Sequence, residues 1–326
     1  MYETIKPIPF SEATGAVACN MTNDALFHIV LQENNEALTG LIASLLHIDP
    51  ESIGDAEVQN PIKFGHLLLD KAFVLDILVS FRDGSSMNLE MQVKDLKNWI
   101  PRSLSYLCRE FNQLKHGDDY DQIKAVYHVG FLDYTLFPDQ PEFYATYRMR
   151  NIKTGHEYSD KFTLSVVQLN HINMATEEDK AYDIDKWAAL FKATTWEEVR
   201  MLAETNPYIA SAAESIYSSV TDPDILELCK KRQEEIDGDI HRRERLAEQE
   251  RLLAEQEEKL AEKEKKLTEQ EEKLTEQEEK LAQQDKKITE QDMKITEQDK
   301  KIEEQDQQIA DLTARLEDIR RRLSEK

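Results

Sequence analysis

Residues 70–94 read Asp70-Lys71-Ala72-Phe73-Val74-Leu75-Asp76-Ile77-Leu78-Val79-Ser80-Phe81-Arg82-Asp83-Gly84-Ser85-Ser86-Met87-Asn88-Leu89-Glu90-Met91-Gln92-Val93-Lys94. Val74 to Phe81 is β-branched and apolar, broken by Asp76. Arg82 to Ser86 is turn chemistry, with Gly84 supplying a left-handed position. Met87 to Val93 runs back. The pattern predicts an antiparallel hairpin.

The polar residues inside these strands are the anomaly. Side chains alternate faces at period two, so Glu90, Gln92 and Lys94 share one face and Leu89, Met91 and Val93 the other. Asp76 interrupts a run that otherwise reads as buried on both faces. A carboxylate there costs several kcal/mol unless it is paired or binds a cation. Folding at the turn brings Asp76 and Glu90 near each other across the ladder. Two convergent carboxylates, carbonyl oxygens and water are what Mg²⁺ accepts. The competing reading is a solvated hairpin face, which Gln92 and Lys94 alone would satisfy.

Outward from the hairpin, residues 1–20 read as irregular. Thr22-Asn23-Asp24 caps a predicted helix over 24–47 with Leu26, Ile29, Val30, Leu38, Leu41, Ile42 and Leu45 as its apolar stripe. Residues 62–69 suggest a short strand. Pro101 suits the first turn of a helix whose buried stripe reads Ile100, Leu104, Leu107, Cys108, Phe111 and Leu114, with Gly117 as its stop. Arg102, Tyr106 and Arg109 recur at i, i+4 and i+7 on another face. Because that helix starts soon after Lys94, Arg102 and Tyr106 either hold a phosphate or orient Glu90, or are a surface Arg beside an aromatic. Ile123 to Leu132 reads as a central strand. Phe143 to Arg150 and Phe162 to Leu169 read as a second hairpin. From about residue 177 to 240 the pattern is helical, anchored by Trp187, Leu190, Phe191, Trp196, Val199 and Leu202. Asn206-Pro207 and Asp222-Pro223 mark breaks.

The hairpin resembles the PD-(D/E)XK nuclease superfamily: an Asp in an apolar strand, a turn, then Asn88-Leu89-Glu90-Met91-Gln92. More closely it is similar to the recombination-promoting nuclease/transposase-like branch, whose second motif is commonly Glu-Met-Gln or Glu-x-Gln, here Glu90-Met91-Gln92. Asn23-Asp24-Ala25-Leu26-Phe27 with Asn34-Asn35-Glu36-Ala37-Leu38 resembles that family's opening helix. Trp99 to Tyr120 and then Leu132-Asp133-Tyr134-Thr135-Leu136-Phe137 resemble its next helix and strand. The likeness covers roughly residues 20–240. It departs at Leu75, where the motif has Pro, at Gln92, where the wider superfamily has Lys, and at His28, where the family often has Lys.

The resemblance implies an α/β fold with a restriction-endonuclease-like mixed sheet flanked by helices, and a metal-dependent DNA endonuclease. Asp76 and Glu90 would hold Mg²⁺ with the Met91 carbonyl, and Gln92 would orient water or phosphate. Lys94 would supply the charge that the motif Lys otherwise gives. Nucleases of this superfamily often add an acid from the first helix, where Glu33 and Glu36 lie, although a solvated helix face explains both. The alternative is a catalytically silent nuclease fold serving as a nucleic-acid or protein binding module.

Composition narrows the choice. The 326 residues carry a formal charge of −24. Residues 242–326 hold 20 basic and 26 acidic residues, leaving −18 on residues 1–241. An acidic domain lacks the basic footprint of a generic DNA-coating protein, so any nucleic-acid contact must be local. Cys19, Cys108 and Cys229 are odd in number and far apart in sequence, which suits a reducing compartment and inert thiols. The N-terminus lacks a signal-peptide pattern and no apolar run is long enough to span a membrane, so a cytoplasmic location is expected. No zinc pattern, phosphate loop or nucleophile elbow stands out.

The tail is a repeat. Leu or Ile recurs every seven residues from Leu246 to Leu323 without a break. With these at heptad position a, position d is mostly Gln, as at Gln256, Gln270, Gln277, Gln284, Gln291, Gln298 and Gln305. This half-polar seam predicts a long, weak coiled coil, about 115 Å from Leu246 to Leu323 at the helical rise per residue. A single solvated helix and partial disorder are the rivals. The expected divisions are a nuclease-like domain over 1–175, a helical extension over 176–241 and an oligomerising heptad coil over 242–326.

Overall fold

The computed structural model describes residues 8–54, 56–59, 76–112, 114 and 119–324. The strand expected at 62–69, Leu75 and Gly117 lie outside these residues. The chain divides into two compact units, 1–240 and 241–326.

In the first unit, the elements in chain order are α1 (Asp24–Glu33), α2 (Asn35–Leu46), β1 (Ala56–Val58), β2 (Ile77–Phe81), β3 (Ser86–Gln92) and α3 (Trp99–Phe111), then β4 (Val126–Leu132), β5 (Tyr144–Arg150) and β6 (Glu157–Gln168). Helices α4 (Glu177–Ala181), α5 (Ile184–Lys192), α6 (Trp196–Ala203) and α7 (Pro207–Thr221) follow, and α8 (Pro223–Ser324) begins here. Among the described residues the strands form one mixed sheet in the order β1-β2-β3-β4-β6-β5. The β2–β3 hairpin is antiparallel, turning at Gly84 with φ +86°. Strand β4 lies parallel to both β3 and β6, so the 123–132 segment is central as expected. β5 and β6 pair antiparallel as the second hairpin.

Pleating sorts the side chains of these strands. Met87, Leu89, Met91, Val129, Phe131 and Val167 join the main core beneath α1, α2 and α5–α7. Phe27 of α1, Phe131 of β4 and Phe191 of α5 meet with ring centroids 5.3–5.5 Å apart. The helices after residue 176 thus share one apolar core with the sheet, held by area burial. On the opposite face Trp99 of α3 packs with Leu132 and Val166. The sheet is a central layer between two helical layers.

Two helix expectations are corrected. The helix expected over 24–47 is two helices, broken at Asn34. That side chain caps α2 by accepting from the Ala37 N–H at 2.9 Å, while its amide donates to Ser211 and Ser215 of α7. An Asn that satisfies both a helix start and a neighbouring helix favours the break. In α3 the buried positions are Trp99, Ser103 and Leu107. Ile100 and Leu104 are 47% and 45% exposed, and Cys108 is exposed too. The helix is rotated from the predicted stripe because Trp99 lies over Gly130, where a Cβ would come within 2.1 Å of the indole. The breaks at Asn206-Pro207 and Asp222-Pro223 stand, with Pro207 and Pro223 opening α7 and α8.

The second unit is a continuous helix over its described residues. Its heptad Leu and Ile side chains lie exposed along one chain, between 53% and 70% from Leu246 to Leu323. Glu–Lys pairs spaced by four, such as Glu255–Lys259 and Glu276–Lys280, flank the apolar seam.

Candidate active site

Continuing the β2–β3 register by one residue beyond Ile77↔Leu89 sets Asp76 opposite Glu90. Both are buried, at 4% exposure each. Glu90, Asn88 and Gln92 lie on the α3 face of β3 and all three are buried, which removes the solvated-face reading of this strand. The carboxylates meet under α3. Arg102 donates from Nε to Glu90 Oε1 at 2.6 Å, and its Nη2 stands 3.6 Å from Asp76 Oδ1. Tyr106, one turn on, lies between the guanidiniums of Arg102 and Arg109, at 5.1 and 4.7 Å from its ring centre.

Two residues that the sequence reading did not single out complete a ring of polar side chains. Asn88 pulls the Asp76 carboxyl down against the effect of burial, and its Nδ2 lies 3.0 Å from His128 Nδ1. An amide nitrogen only donates, so Nδ1 accepts and Nε2 carries the hydrogen. That Nε2 faces Glu90 Oε2 across 3.7 Å. His128 is paired in register with Asn88 on the neighbouring parallel strand. Burial, then the Arg102 charge, pushes its pKa down to about 3, so the imidazole is neutral.

A third acid also reaches this end of the sheet. Glu33 and Glu36 are exposed, but Asp24, in the first turn of α1, lines the same cleft as Glu90, Gln92, Lys94 and Arg102. It is clamped by Arg232 of α8, Nε to Oδ1 at 2.9 Å and Nη2 to Oδ2 at 2.6 Å. Its Asn-Asp start was the available signal: a capping Asn23 places the next carboxylate at the helix mouth. Gln92 donates to the Lys94 carbonyl and to Tyr134 Oη, both at 3.1 Å. Lys94 is exposed at the cleft rim, past the end of β3. His28 is fully buried and does not reach the surface as a Lys would.

Burial and the adjacent Asp76 charge raise Glu90 to about 7, against the pull of Arg102. Burial likewise raises Asp76, opposed by Arg102 and Asn88. Among the described residues, no cluster of three or more His, Cys, Asp or Glu is placed to hold a metal ion. The carboxylate pair nevertheless fits one. Glu90 Oε2 is buried without a hydrogen-bond partner among the described residues, and Mg²⁺ commonly takes only one or two carboxylates, with water and phosphate filling the rest.

Two predictions arise here. A Glu whose folded pKa exceeds its ordinary 4.5 binds its proton more tightly when folded, so stability falls as pH rises from about 4.5 through about 7. In EDTA, Glu90→Gln should therefore melt higher than the parent at pH 8 and lose much of that pH dependence, as thermal melts across pH will show. Gly130→Ala, which pushes Trp99 off the sheet opposite Glu90, should cost about 1–3 kcal/mol in chemical denaturation.

A mixed sheet between helical layers, with one acid before a central strand pair and a second inside it, defines a nuclease-like domain of the PD-(D/E)XK class. A family model described as PD-(D/E)XK nuclease family transposase matches residues 22–243, and the chain belongs to that family. Neither the curated proteins nor the solved structures contain a match to the chain.

Proposed function

We propose that this protein is a divalent-metal-dependent DNA endonuclease, with Mg²⁺ held by Asp76 and Glu90 and the Met91 carbonyl. The observation that carries the reading is the buried, mutually repelling pair Asp76–Glu90, which a cation would stabilise. When bound, such an ion would polarise the scissile phosphate and lower the pKa of the attacking water.

The protein's own groups do the rest. Arg102 sets one positive charge against the pair. It is 38% exposed at its side chain, so on release from Glu90 it can swing to a phosphate oxygen, for which its planar fork is suited. Tyr106 holds that guanidinium at the cleft side. Gln92, braced by Tyr134, orients water or phosphate, and Lys94 adds positive charge at the rim. His128 and Asn88 hold the carboxylates in place. Charge at the cleft is local, as an acidic domain requires.

The heptad tail is read as a self-associating coil, making the protein a homo-oligomer on DNA. A cytoplasmic location is part of the proposal. No helix among the described residues is long and apolar enough to cross a membrane.

The second reading is a silent fold that binds nucleic acid or protein. The Arg102 bridge across both carboxylates and Gln92 in place of Lys favour it. Supercoiled plasmid incubated with and without Mg²⁺ tests the choice. Conversion to nicked or linear DNA in Mg²⁺ alone, lost in EDTA, is the expected result. Intact plasmid with retained DNA binding would leave the silent fold standing.

A further inference from the structure

Cys19 and Cys229 are 210 residues apart in sequence, yet they line one cavity of about 310 Å³ with Asn20, Asn23 and Lys230. Their thiols stand close enough that each is the largest influence on the other, while Cys19 Sγ donates to the Asn20 carbonyl at 3.8 Å. The backbones are tied as well: the Asn23 side chain, which caps α1, donates to the Cys229 carbonyl at 3.0 Å. Cys19 is half-buried and Cys229 is buried. Three residues after Cys229 stands Arg232, the residue that clamps Asp24. The third cysteine, Cys108, is exposed on α3 and belongs to neither group.

We propose that Cys19 and Cys229 form a reversible oxidation site, closing to a disulfide that locks the base of α8 onto the start of α1. The inference stands apart from the nuclease reading, since it concerns only these thiols, the segment leading into α1 and the start of α8. The oxidant is a peroxide, small enough to enter the cavity. The Cys229 thiolate attacks one peroxide oxygen, the O–O bond breaks, and a sulfenic acid and hydroxide result. The Cys19 sulfur then attacks the Cys229 sulfur, forming the S–S bond and expelling hydroxide, while the Cys19 proton goes to water. Two thiols and one peroxide thus give one disulfide and two waters.

The electrostatics support that order of events. The neighbouring Cys19 thiol pushes the Cys229 thiol down, and Cys229 together with burial pushes Cys19 up. Thiolate character decides which sulfur reacts first. The oxidised pair would pin the first turns of α8, and with them Arg232 on Asp24.

The test uses the full chain with Cys108→Ser, which removes the exposed thiol. After brief treatment with stoichiometric hydrogen peroxide, intact mass should fall by two hydrogens, both thiols should become unreactive to alkylation under denaturing conditions, and a reductant should restore them. Peptide mapping should link the Cys19 and Cys229 fragments of one chain. Adding Cys19→Ser or Cys229→Ser should abolish the mass loss and the link. Amides between residues 226 and 236 should exchange roughly tenfold more slowly in the oxidised form, as closing off local opening requires. Gain of oxygen without loss of hydrogen, or a link only between chains, would overturn the site. A correct link with unchanged exchange would overturn the lock.

Discussion

Asp76→Ala and Glu90→Ala should each lower Mg²⁺-dependent plasmid cleavage on the order of a thousandfold or more, because a bound metal supplies several kcal/mol of transition-state stabilisation and each 1.4 kcal/mol is tenfold in rate. The fold should survive both changes. Each removes a buried carboxylate whose charged form burial already penalises, so neither change sacrifices apolar packing. Circular dichroism and melting will check that point beside the nicking assay. The two losses should not add, since either one dismantles the same site. Arg102→Ala separates the roles of that residue: it leaves both carboxylates without their counter-charge, so it should lower stability at neutral pH as well as activity. Gln92→Lys installs the commoner superfamily residue and should retain or raise cleavage. If Asp76→Ala or Glu90→Ala cuts at the parent rate, the metal assignment fails. If Gln92→Lys alone is dead, Gln92 has a role that a cation cannot fill.

Deleting residues 309–326 should loosen self-association far more than deleting an equal length from the middle of the tail. Between Leu253 and Ile302 most heptads offer one apolar core position, and Gln occupies the other. Burying a Leu side chain contributes roughly 1.5–3 kcal/mol, so each Gln layer forfeits much of its share. The near-identical heptads also allow slippage by seven residues at little cost. Ile309, Leu312, Leu316, Ile319 and Leu323 alone fill successive a and d positions. In a single chain these side chains stand 54–70% exposed, an apolar stripe that association would cover. Association also raises the local concentration of domains on one DNA. Sedimentation of the full chain and both truncations is the measurement. A helical but monomeric full chain at tens of micromolar would rule out the coil and leave a solvated single helix.

Much of the site was legible because strand chemistry is local. Period two and a Gly turn place Asp76 near Glu90 without any knowledge of the rest of the fold, and a carboxylate in an apolar strand demands a partner wherever that strand lies. Arg102 and Tyr106 were legible for a similar reason, since a helix opening close behind β3 cannot carry its first turns far. The heptads announce their own helix. What lay beyond reach depends on long-range pairing. Nothing in residues 123–132 says that His128 will stand beside Asn88; parallel register with β3 decides it. The rotation of α3 could not be read from its apolar pattern, because the space above Gly130 exists only once β4 is in the sheet. The break at Asn34 awaits the hydroxyls of α7, and Asp24 finds Arg232 208 residues away. Cys19 and Cys229, distant and unremarkable as letters, are neighbours for that reason too. By itself the sequence determined most of the elements, the approach of Asp76 to Glu90 and the repeating tail, since those follow from periodicity and turn chemistry over a few residues. It did not show the break at Asn34 or the edge strand Ala56–Val58. Tertiary structure alone decided which polar groups surround the pair and which face each helix turns inward, because burial and hydrogen-bond satisfaction are properties of packed surfaces and not of neighbouring residues in the chain.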